Sequence, residues 1–84
     1  MTYEIVFSKE AAKTLDKISD PDYSKIRKSI DALAFNPHPH GSIKLHGRNS
    51  YRIRQGNDRI IYAVVHQKLV IDIIAIGHQK DIYE

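Results

Sequence analysis

Arg52, Arg54 and Arg59 fall where a β-hairpin brings guanidinium groups together on one face of a sheet. Tyr51-Arg52-Ile53-Arg54 alternates with the strand period of two, Gln55-Gly56-Asn57-Asp58 has turn chemistry, and Arg59 opens the next apolar run. A four-residue loop sets Arg54 opposite Arg59 and leaves Arg52 one pleat away, pointing the same way. Like charges across strands destabilise a sheet, so a chain that gathers three of them is expected to meet a polyanion there. Phosphate is the natural candidate, because guanidinium pairs with it bidentately. A ribonuclease working without metal needs such cations to stabilise a phosphorane. It also needs a base for the ribose 2′-OH and an acid for the leaving 5′-oxygen.

His78 is the candidate for proton transfer, since imidazole as a side-chain type exchanges protons near neutral pH. Tyr83 could stack on a base or orient a phosphate through its hydroxyl. Lys44, His46 and Arg48 precede the first arginine in a basic window and are candidates for holding substrate. Each residue has a plainer reading. An arginine on a strand solubilises, a histidine after a strand caps it, and a terminal tyrosine anchors the chain end. The combination is what points to binding.

Eighty-four residues make one small domain, spanning 1–84, with apolar residues for a single modest core. There is no cysteine, so neither a disulfide framework nor a thiolate metal site is available. His38 and His40 share a proline-bracketed loop with no nearby acid, and no metal or other cofactor is expected. No membrane-spanning stretch or signal peptide is legible, and a cytoplasmic location is expected. Residues 1–42 hold six Lys/Arg and six Asp/Glu, whereas residues 43–84 hold seven against four, so the whole net charge of +3 lies in the second half. No acid occurs between Asp31 and Asp58. That footprint suits a nucleic acid or an acidic protein partner.

The elements needed to position these groups follow from periodicity. Thr2–Phe7 reads as a strand with Tyr3, Ile5 and Phe7 on one face. Ser8 caps a helix carrying Ala11, Leu15 and Ile18, and Asp20-Pro21-Asp22 starts a second one with Tyr23, Ile26, Ile30 and Leu33 as its apolar stripe. A three-strand meander follows, roughly Lys44–Arg54, Arg59–His66 and Leu69–Ile76, then a short C-terminal turn. The fold class is therefore α+β: an N-terminal strand, a helical hairpin and an antiparallel meander. A loop at Gln67-Lys68 pairs Val64 with Ile71 and Arg59 with Ile76. That register puts Tyr51, Ile53, Ile60, Tyr62, Val64, Ile71, Ile73 and Ala75 under the helices. It leaves the arginines, Ile61, Ala63, Asp72, Ile74 and Ile76 on an open face, with His78 emerging beside Arg59.

The order of elements and the tail resemble the RelE/ParE superfamily of type II toxins, RelE-like branch, over nearly the whole chain. The resemblance rests on Tyr3–Phe7 with the helix after it, Lys44-Leu45-His46-Gly47, Tyr51–Arg54, Asp58–Tyr62 and Ile76–Tyr83. It implies a cognate antitoxin and, in the RelE branch, metal-independent cleavage of mRNA in the ribosomal A site. By position, Arg52, Arg54 and Arg59 match residues that hold and polarise the mRNA backbone, and Tyr83 matches a tyrosine of positioning or catalysis. Similar members commonly carry Gly-His-Arg in the tail; here Gln79 replaces the arginine and can neither transfer a proton nor carry charge. The resemblance leaves two other functions open: a ParE-like inhibitor of DNA gyrase, and a degenerate member that only binds antitoxin.

Overall fold

Ser8 ends the first strand and begins the first helix. Its extended backbone and its hydroxyl, which accepts from the Ala11 amide at 3.0 Å, are what an N-cap requires. The computed structural model describes residues 2–45 and 49–78. In chain order these form β1 (Glu4–Phe7), α1 (Lys9–Asp16), α2 (Asp22–Leu33), β2 (Ile43–Lys44), β3 (Ser50–Gln55), β4 (Asp58–Val65) and β5 (Val70–His78). The five strands make one mixed sheet in the order β1-β5-β4-β3-β2. No helix among the described residues is long and apolar enough to cross a membrane.

Both helices lie on one face of the sheet because each carries a single apolar stripe. Ala11 and Leu15 from α1 and Ile26, Ile30 and Leu33 from α2 pack against Ile53, Ile60, Tyr62, Val64, Ile71 and Ile73. Burial of these side chains removes water from both apolar layers and supplies the main stabilisation of the fold. Tyr3, Ile5 and Phe7 pack at its margin, as strand alternation predicts.

The observed sheet departs from the expected meander in three ways. The segment expected as one strand over Lys44–Arg54 is two: β2 pairs antiparallel with β3, Ile43 against Arg52 and Lys44 against Tyr51. β1 adds in parallel to the outer side of β5, with Ile5 against Ile71 and Phe7 against Ile73. Finally, Val64 does pair with Ile71, but a bulge then shifts the ladder between Ile61 and Tyr62. Tyr62 meets Ile73 and Ile61 meets Ala75, so Arg59 lies opposite Gly77 rather than Ile76. One surplus residue in β5 exchanges the faces of everything after it. Ile76 accordingly joins the core at 5% exposure, and Ala75 takes the opposite face.

Candidate functional site

The β3–β4 turn is as tight as an antiparallel pair allows. Gln55 pairs with Asp58, leaving Gly56 and Asn57 at the tip, and Gly56 takes φ +62° at the first central position. That is where a type II′ turn needs a positive φ, which glycine adopts without steric cost. The turn fixes the register behind it, and Arg54 stands directly across from Arg59 as the spacing predicts. Arg52 shares their face, one pleat back on β3 and opposite Ile61.

The three arginines differ in environment. Arg54 is exposed and Arg59 half-buried, but Arg52 is 6% exposed and Ile61 beside it 8%. The face expected to be open is thus closed around Arg52 and Ile61, and open on either side, toward the turn at Arg54 and toward β1 at Asp72 and Val6. Arg52 and Arg59 each engage partners within the molecule. A recess of ≈440 Å³ borders Arg52 and Arg54, with His40, Gly41 and Ile43 along its other side. Sequence reasoning left His40 without a role; the pairing of β2 with β3, which has no local signal, brings its loop to the arginines. Two described acids share this face: Glu4 on β1, farther from the turn, and Asp72, which pairs with Ala63, four steps along β4 from Arg59. At about 3.3 Å per step that separation of about 13 Å exceeds a physiological Debye length of about 8 Å, so Asp72 does not neutralise the corner.

The other candidates are placed differently. His78 was expected beside Arg59 on the same face, and the bulge overturns this. It pairs with Asp58, whose parity is that of core residue Ile60, and lines a second recess on the helix side with Asp22, Lys25, Gln55 and Asn57. Lys44 pairs with Tyr51, a residue of the helix-covered face, so it points away from the arginines. His46, Arg48, Gln79 and Tyr83 lie outside the described residues. No cluster of three or more metal-ligating side chains occurs among the described residues.

This arrangement can hold an anion at the turn end of the sheet. Two guanidinium groups across one ladder rung, with side-chain origins about 5 Å apart, can both reach the oxygens of one phosphate. Comparisons with known proteins bear on the α+β architecture. Residues 5–83 match the model of a family described as ParE toxin of type II toxin-antitoxin system, parDE. A protein of Escherichia coli named as a RelE-like toxin is 30% identical over 88 residues, covering 99% of this chain and 92% of its own. Toxin RelE in the archaeal RelE–RelB complex from Pyrococcus horikoshii OT3 superposes with a TM-score of 0.84 at 30% identity, covering 98% of this chain and 100% of that one. The intact E. coli RelBE complex contains a similar fold, with a TM-score of 0.82 at 20% identity over 90% of this chain and 95% of that one. The α+β architecture, the length of the match and these identities together establish that the chain belongs to the ParE toxin family of type II toxin–antitoxin systems, within the RelE/ParE superfamily.

Proposed function

We propose that this toxin cleaves mRNA on the ribosome and so arrests translation. The observation that carries the reading is Arg54 directly opposite Arg59, with Arg52 on the same face and a recess lined by Arg52 and Arg54 beside them. A phosphodiester bound there gains charge as the 2′-oxygen attacks, and guanidinium donors fixed in place stabilise that added charge without reorganising. Arg54, the exposed member, makes first contact, while Arg52 is held by its burial and steadies the strand. His78 remains the proposed acid/base group, but from the helix side it reaches only a substrate that passes over the end of the sheet. Tyr83 is the other group proposed to act on the reacting phosphate, with His46 and Arg48 guiding the strand; Lys44, on the opposite face, is not part of that path.

The partner proposed for the cell is a cognate antitoxin, because similar toxins are seen with RelB. A net charge of +3 favours an acidic segment that orders on contact. Cytoplasmic residence follows from a ribosomal target.

A second reading, inhibition of DNA gyrase by binding alone, is favoured by two observations: the matching family model is described as a ParE toxin, and glutamine stands at Gln79. Induction of the toxin without antitoxin, followed by mapping of mRNA 5′ ends, separates the two. New ends phased with codons support ribosomal cleavage, and their loss in Arg59→Ala ties them to this site. Growth arrest with intact mRNA and broken chromosomal DNA overturns the proposal in favour of gyrase.

A further inference from the structure

β5 carries one residue more than β4 can pair. Ile73 faces Tyr62 and Ala75 faces Ile61, so Ile74 is surplus. A bulge disrupts the ladder locally and persists where neighbouring groups hold it. Here the holder is Ser8. Its hydroxyl donates to the Ile74 carbonyl at 2.7 Å, its amide donates to the Ile73 carbonyl at 2.9 Å, and the same hydroxyl caps α1 through the Ala11 amide. One side chain therefore starts a helix and secures a strand irregularity.

Without the bulge, the Val64–Ile71 register would carry through and set Ile76 across from Arg59. A branched side chain would then rise about 5 Å from the base of that arginine, on the face where an anion must approach. With the bulge, Ile76 turns into the core and Gly77 takes the rung. The backbone does not demand glycine at this point: the described glycines with positive φ are Gly41 and Gly56. Glycine inside a strand weakens it and often marks a place where another group comes close to the backbone.

We propose that Ser8, the Ile74 bulge and Gly77 form one positioning device, which keeps a β5 side chain off the rung opposite Arg59 so that a phosphate of the substrate strand lies against the β5 backbone there. The proposal rests on the RNA-cleaving reading and adds to it the place where the phosphate lies. Gly77 touches substrate through its backbone, and Ser8 acts only by holding the bulge.

The test measures mRNA cleavage and thermal unfolding on the same purified proteins. Gly77→Val puts a strand-favouring side chain on the rung. It is expected to melt at or above the parental temperature while cleaving at least tenfold more slowly. A simple loss of structure would lower both. Ser8→Asp keeps an acceptor for the Ala11 amide but has no donor for Ile74, whereas Ser8→Thr keeps both. Cleavage should fall about tenfold in Ser8→Asp with the helical circular dichroism retained, and be restored in Ser8→Thr. Cross-strand NMR contacts between Arg59 and Gly77 should be lost only in the aspartate variant. If Ser8→Asp does not fold, the Gly77 variant decides. A parent that cuts mRNA alongside a Gly77→Val that cuts equally fast overturns this device and leaves the RNA reading standing. A parent that leaves mRNA uncut overturns that reading, and this proposal with it.

Discussion

Where β3 begins and β4 finishes, rings pack on rings. Tyr51 stacks on Tyr62 with centroids 5.7 Å apart, His38 meets Tyr51 edge-on at 4.7 Å, and the Tyr3 hydroxyl lies 3.0 Å from His66 Nδ1. The Tyr62 hydroxyl donates to the Pro37 carbonyl at 2.7 Å and ties the loop after α2 to the core. At the opposite end of the same strands, behind a two-residue turn, Arg54 and Arg59 stand face to face, with Asp58 and His78 around the corner. One end gathers apolar area and satisfied polar groups. The other gathers like charge that makes the hairpin less stable. The two are compatible because hydrogen-bonded strands connect them, so the aromatic end can hold in register a charged end that would not hold itself. Packing and charge are thus separated along the strands of one hairpin.

That separation can be broken by substitution, and the largest effect is expected at the charged end. Replacing Arg54 and Arg59 together by alanine should lower cleavage by roughly a thousandfold, the scale of removing fixed donors from a developing charge. The unfolding free energy should change by less than about 1 kcal/mol, relief of repulsion offsetting lost packing. Denaturant melts and primer extension on the same preparation would check both. Arg52 crosses the divide: at 6% exposure, Arg52→Ala should cost about 3 kcal/mol of stability as well as activity, because it empties a buried site and removes the contacts its long side chain makes.

At the aromatic end, Tyr62→Phe should cost about 1 kcal/mol and leave cleavage intact, which urea unfolding would show. Burial pushes the Tyr62 hydroxyl from 10.0 up to about 12, with a Ser42 hydrogen bond acting the other way. The folded state therefore keeps a proton that the unfolded state releases. Its contribution is complete below about pH 10 and is lost as pH rises through about 12. The phenylalanine variant should lack that alkaline loss when midpoints at pH 9 and pH 11 are compared. His66→Ala, which removes an exposed ring at the edge of the cluster, is the mildest change, at about 0.5 kcal/mol with activity unaltered.

What was legible in the chain was whatever short loops control. The Gly56-Asn57 turn makes the Arg54–Arg59 rung unavoidable, and the β4–β5 loop likewise fixes Val64 against Ile71. Ser8 reads as a cap because its role is local. The bulge was not legible: Ile71-Asp72-Ile73-Ile74-Ala75-Ile76 is apolar on both parities after Asp72, so alternation does not say which residue is surplus. The fate of His78 followed from that one residue. The parallel pairing of β1 with β5 and the approach of His40 to the arginines are contacts distant in sequence, which periodicity does not encode. The ring cluster was missed for the same reason, since Tyr3 and His66 are 63 residues apart.

The bond from Ser8 to Ile74 spans 66 residues, and among the described residues β1 pairs with β5 alone. During synthesis the pairing of β1 and the Ser8–Ile74 bond must therefore wait for β5, although the local cap on the Ala11 amide need not. A nascent chain in which β5 is still unmade lacks the completed sheet and its bulge, so the rung that sets Arg59 against Gly77 forms only late in folding.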